Sequence, residues 1–172
     1  NEVLSSFEPK NPSFLYAHIL MPHSPYTRDK NCNLVDFRGA GDFKSFRWEV
    51  RHKYLGFLEC GNKQLKTLVE TLVAKDPESI IILQGDHGAY FTYQKYTGDD
   101  GMPKPGDEPW REAAMDGAYS ILNLMRVPKK CSNLPYREMG SINTFQMVFA
   151  CLTQTRPDYL IDKTFSMDHE KK

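Results

Sequence analysis

The chain has 172 residues, enough to bury one substantial core, and with 40% hydrophobic and 12% aromatic residues its composition is that of a folded globular protein. Lys plus Arg and Asp plus Glu number 22 each, so no net field directs the chain to nucleic acid or to an anionic membrane surface. No run approaches the roughly 20 apolar residues that span a bilayer, and Asn1 to Lys10 lack the basic start and apolar centre of a signal peptide.

Phe14-Leu15-Tyr16-Ala17-His18-Ile19-Leu20 follows the breakers Pro9 and Pro12 and is stopped by Pro22, which predicts a buried strand with His18 as a core histidine. Its exit, Met21-Pro22-His23-Ser24-Pro25-Tyr26, holds His23 in a loop stiffened by two prolines, and His23 is therefore a candidate site residue. Residues 27–46, rich in charge, Asn and Gly, read as an irregular connection. From about Arg47 to Lys75 the apolar Trp48, Tyr54, Phe57, Leu58, Leu65, Leu68, Val69, Leu72 and Val73 recur at three- and four-residue steps. That spacing predicts an amphipathic helix with His52 on its solvated face, ended by Asp76-Pro77.

Ile80-Ile81-Ile82-Leu83 is apolar on both faces and predicts a central strand of a parallel sheet covered by helices. With the strand over 14–20 and the helix between them, a right-handed βαβ unit is the economical topology. Polarity then changes within Gln84-Gly85-Asp86-His87-Gly88, so that a carboxylate and an imidazole leave the carboxyl end of the strand, the edge at which open α/β sheets bind ligands. The flanking glycines let the backbone turn and a metal or phosphate come close. An isolated Asp-His is more simply a polar turn, with Asp86 capping a helix and His87 on the surface. Behind a buried strand and between glycines, Asp86 and His87 point to a metal or phosphoryl site.

Beyond His87, Tyr90, Phe91, Tyr93 and Tyr96 lead into a loop over 97–109 rich in glycine, proline and acids, a flap beside the site or a cover for the sheet edge. Residues 118–125 predict a third strand closed by Arg126-Val127-Pro128. Ser141 is placed to cap a helix carrying Ile142, Phe145, Val148, Phe149 and Leu152 at helical spacing. The tail from 157 to 172 is expected to fray, with His169 too near the end for catalysis. Cys32, Cys60, Cys131 and Cys151 form no Cys-x-x-Cys pair, which disfavours a zinc finger and leaves buried thiols or one or two disulfides. Cys60 and Cys151 fall in helical stretches and read as core, whereas Cys32 and Cys131 lie in loop-like surroundings suited to pairing.

The order of Phe14-Leu15-Tyr16-Ala17-His18, Pro22-His23-Ser24-Pro25-Tyr26, a helix holding Tyr54 and Asn62, the run from Ile80 to Gly88, Leu122 to Pro128, and Ser141-Ile142-Asn143-Thr144-Phe145 resembles the carboxyl-terminal half of sulfatase-like proteins of the alkaline phosphatase superfamily. Within that superfamily it looks most like phosphoglycerol transferases of the lipoteichoic-acid-synthase type. The resemblance implies an α/β fold, mainly a parallel sheet flanked by helices, with residues 1–172 as one partial catalytic domain. It implies that Asp86 and His87 bind a divalent metal, Zn²⁺ or Mn²⁺ first and Ca²⁺ or Mg²⁺ after them, and that His23 contacts the phosphate or sulfate of the substrate as a hydrogen-bond donor or acid.

Such proteins draw their Thr, Ser or modified Cys nucleophile and a further acidic metal ligand from the amino-terminal half. Asn1 to Pro12 is too short to supply these, and the chain opens without Met, so the remainder of the catalytic domain and a membrane anchor are expected upstream. The lysine that true sulfatases place after Asp-His-Gly has no clear counterpart, since Lys95 and Lys104 sit in a loop that does not align with it, which weakens the sulfatase reading relative to phosphoryl transfer. The implied substrate is a phosphate or sulfate ester, lipid- or glycan-linked forms included, handled on the extracellular or periplasmic face of a membrane. The competing reading is a non-catalytic module that keeps the scaffold and binds a partner or glycan through Tyr90 to Tyr96.

Overall fold

The computed structural model describes residues 12–36, 51–89 and 117–163, so the aromatic segment Tyr90 to Tyr96, the 97–109 loop, Trp48 and His169 lie outside the described residues. The chain forms two compact units, one of Asn1–Pro77 and Gly85–Leu122, the other of Glu78–Gln84 and Asn123–Lys172.

The first unit is built on helix α1, Arg51–Lys75. Of the apolar stripe expected there Phe57 is buried, together with Cys60 and Gly61. They are covered by the segment that follows His23. Tyr26 packs edge-on against Tyr54 and Phe57, with ring centroids 5.9 and 6.2 Å away. Cys32 is disulfide-bonded to Cys60. A Cβ on Gly56 would sit 3.3 Å from the Lys30 amide nitrogen, so the helix is bare where the segment passes closest. The segment in turn closes on the Asp29 carboxylate, which accepts the Asn31 and Asn33 amides at 2.8 and 2.9 Å, and Lys63 Nζ donates to Lys30 O at 2.6 Å. The stretch read as a strand over 14–20 is exposed throughout, His18 included, and forms no strand. Its β-forming residues are assigned to no strand ladder among the described residues, and a strand is defined by that pairing.

The second unit holds a two-stranded sheet. Strand β1, Ile81–Gln84, pairs with β2, Asn123–Arg126, in the register Ile81 opposite Arg126 and Gln84 opposite Asn123. The pairing is antiparallel, which corrects the expected parallel sheet and the βαβ unit among the described residues. An apolar run marks burial on both faces but carries no information about the direction of its neighbour. The third strand is shorter than expected: residues 117–119 are helical and the strand begins at Asn123.

Helix α2, Thr144–Thr153, follows a 3₁₀ turn over Ser141–Asn143 and ends at Gln154 in a left-handed conformation, φ 55°. Its buried side is Thr144, Met147, Ala150 and Cys151, while Phe145, Phe149, Leu152 and the preceding Ile142 are exposed. Most of the residues read at helical spacing therefore face outward, with Val148 half-buried, and two contacts hold the opposite side inward. Cys151 is disulfide-bonded to Cys131, and Asn143, fully buried, is fully engaged. Its Nδ2 donates to Tyr136 Oη, Leu160 O and Asp162 Oδ1 at 2.7, 2.9 and 3.1 Å, and its Oδ1 accepts the Leu160 amide at 2.8 Å. Asp162 also accepts from Tyr136 Oη and the Gly140 amide. Ser141 is thus no helix cap, and residues 159–162 are anchored where fraying was expected, with Tyr159 Oη donating to Leu134 O at 2.6 Å.

The cysteine pairing differs from the expectation in a consistent way: each bond joins a cysteine outside the α-helices to one within an α-helix, closing 28 and 20 residues of sequence. Peptide mapping without reduction should return Cys32–Cys60 and Cys131–Cys151 as the linked pairs, and opening either by Cys→Ser substitution should cost about 3 kcal/mol in urea unfolding through the freed entropy of the denatured chain. Asn143→Ala removes the buried amide that ties Tyr136, Leu160 and Asp162 together, and the same assay should register a loss of about 1–3 kcal/mol.

Candidate functional site

His23 stands in a loop whose Met21–Pro22 and Ser24–Pro25 bonds are both cis. The His23 amide donates to Leu20 O at 2.7 Å, and its ring Nδ1 lies 2.5 Å from Ser24 O. The imidazole is exposed, whereas Tyr26, three residues on, is 5% exposed and anchors the loop. The second loop leaves β1 at Gly85. Two backbone hydrogen bonds tie it to the segment 117–122: Gly85 N to Leu122 O at 2.8 Å and Gly88 N to Ala118 O at 2.7 Å. Between them, Asp86 Oδ2 and His87 Nε2 face each other at 3.8 Å, with the carboxylate 92% exposed. His87 Nδ1 is 2.7 Å from Gly88 O.

Met21 before His23 and Ala89 after His87 both pack on the cluster formed by Tyr26 and Phe57, along with Tyr54. One apolar contact therefore seats both loops on α1. At the exit of β1, Gln84 Nε2 donates to Asn123 Oδ1 at 3.2 Å and to Thr144 Oγ1 at 3.1 Å, and Asn123 Nδ2 donates to Met139 O at 2.7 Å. These contacts hold the end of β1 within the second unit.

Asp86 and His87 are the candidate residues that the structure brings together; His23 is on its own loop, and among the described residues no three His, Cys, Asp or Glu side chains group to hold one ion. The pair nonetheless fits a divalent metal as two of its ligands. Ions of the Zn²⁺ type sit about 2.0–2.2 Å from oxygen and imidazole nitrogen, so two donors on one ion are separated by up to about 4 Å, and a catalytic site needs a third protein ligand besides. The contact from Nδ1 to a backbone carbonyl is the support that metal-bound histidines usually have. These carbonyl contacts, the apolar seat and the Gln84 anchor were invisible to motif reading, because each joins atoms of the main chain or residues far apart in sequence.

A model of the sulfatase family matches residues 2–125, a span that contains His23, Asp86 and His87 and stops short of α2. No curated protein and no solved structure matches the chain.

Burial, with Tyr54 beside it, pushes the Tyr26 hydroxyl up to about 12. Its unfolded counterpart titrates near 10, so the folded form holds its proton longer. Stability from this group is complete below about pH 10 and is lost as pH rises toward about 12, which tyrosinate absorbance and urea unfolding followed across that window should both show. Tyr26→Ala removes the seat of both loops and should cost about 3–5 kcal/mol, the range for deleting a buried aromatic ring.

Proposed function

Since the chain belongs to the sulfatase family, whose chemistry is the cleavage of sulfuric and phosphoric esters on an alkaline phosphatase-like α/β fold, we propose that this protein contributes the metal-binding part of a metal-dependent phosphoryl, or sulfuryl, ester hydrolase or transferase of the phosphoglycerol transferase type. The observation that carries this reading is the Asp86 carboxylate facing His87 Nε2 at 3.8 Å, on a ring supported through its other nitrogen. Asp86 and His87 hold the ion, Zn²⁺ or Mn²⁺ by the chemistry of the donors, with Ca²⁺ and Mg²⁺ as harder alternatives. When bound, such an ion polarises a phosphoryl oxygen and lowers the pKa of a coordinated hydroxyl. His23 meets the phosphate or sulfate oxygens of the substrate, and the nucleophile and third ligand come from elsewhere in the complete catalytic domain.

Two disulfides support an oxidising location, and the proposed working place is the extracellular or periplasmic face of a membrane. Among the described residues no helix is long and apolar enough to cross one.

The full native protein, purified and titrated with Mn²⁺ and Zn²⁺, is the material for the test, followed by turnover of a glycerophosphodiester, an aryl phosphate and an aryl sulfate. Asp86→Asn and His87→Ala should each weaken metal binding by more than ~100-fold, beyond the 10–100-fold typical of removing an outer-shell partner, and abolish turnover. Metal affinity that is unchanged in both variants would overturn the assignment and leave the binding-module reading.

A further inference from the structure

We infer that the backbone sets the tautomer of both candidate histidines, each ring donating Nδ1–H to the carbonyl of the residue that follows it, and that Gly88 is the positioning residue for His87. The geometry is repeated: His23 Nδ1 is 2.5 Å from Ser24 O, and His87 Nδ1 is 2.7 Å from Gly88 O. A carbonyl oxygen accepts and never donates, so at these distances Nδ1 must carry the hydrogen. In the neutral ring the lone pair then lies on Nε2. For His87 that is the atom facing Asp86 Oδ2. For His23, Nε2 accepts in the neutral ring and donates to an anionic ester oxygen in the doubly protonated one, so a donor contact from His23 brings a positive charge with it.

Gly88 holds its carbonyl in place through two constraints. Its amide donates to Ala118 O at 2.7 Å. Its Cα is pressed so close to the neighbouring backbone that a Cβ would fall 2.0 Å from Gly117 O and 2.8 Å from Ser120 O, both main-chain atoms with no side-chain freedom to yield. Any other residue at 88 must move away from 117–120, and the carbonyl that orients His87 moves with it. Gly85 offers the contrast, since a Cβ there meets nothing nearer than His87 O at 3.5 Å. The glycine after His87 thus serves the docking of the loop.

The tautomer assignment is independent of any metal, whereas its use in coordination rests on the proposed metal site. Long-range ¹H–¹⁵N correlation spectra of the labelled full-length protein, at a pH where imidazoles are neutral, separate the two tautomers by their nitrogen shifts. His23→Gln and His87→Gln assign the signals. Both rings should be of the Nδ1–H form; Gly88→Ala should shift His87 toward the Nε2–H form and leave His23 unchanged, and Gly85→Ala should change neither. An Nε2–H ring at His87 in the wild type, or a His87 signal indifferent to Gly88→Ala, overturns the inference. Should Gly88→Ala fail to fold, the wild-type spectrum decides by itself. In the Mn²⁺ titration, Gly88→Ala should weaken binding by about 10–100-fold, the usual effect of losing an outer-shell partner, and wild-type affinity in that variant would remove its positioning role. A wild type that binds no metal would instead sink the metal reading while the tautomer result stands.

Discussion

The contact on which the candidate site depends is the burial of Tyr26 against Phe57 and Tyr54 of α1, with Met21 and Ala89 completing the cluster. His23 and His87, the residues proposed to meet substrate and ion, are both exposed. Exposure leaves their own side chains little to pack against. The precision of such a site comes from the residues beside the functional ones, and here Met21, Tyr26 and Ala89 supply it through apolar area, the least directional of forces. Directional contacts then refine the arrangement: carbonyls orient the rings, and the amides of Gly85 and Gly88 pin the second loop to 117–122.

The second unit is stabilised by a different balance. Its buried side chains include Asn143 and Thr144 alongside Met147, Cys131 and Cys151. A fully satisfied buried amide contributes specificity, since Asn143 can meet Tyr136, Leu160 and Asp162 together in one arrangement of the chain. The disulfide adds a constraint that apolar area in so small a unit would not supply.

Much of this was legible in the sequence where the signal was local. The helix over 51–75 followed from apolar spacing and the strand at 81–84 from its β-branched run. What escaped was non-local. The direction of the β1 neighbour, the partners of each cysteine and the rotation of α2 all depend on which distant segment comes to lie alongside, and spacing within an element is silent on that. For α2 the error has a specific origin: nearly every position is apolar, so periodicity offered two faces and the Asn143 network chose the other one. The family match supplied the chemistry that adjacency alone left open, as sulfuric or phosphoric ester cleavage.

The outward face of α2 has a colloidal consequence. Phe145, Phe149, Leu152 and Ile142 are each more than half exposed, and no residue of the helix carries a charge. The chain as a whole has a formal net charge of zero at neutral pH. Long-range repulsion is therefore weak around this apolar face, so self-association through it in concentrated solution should respond to temperature and to apolar-to-polar changes on the helix more than to ionic strength.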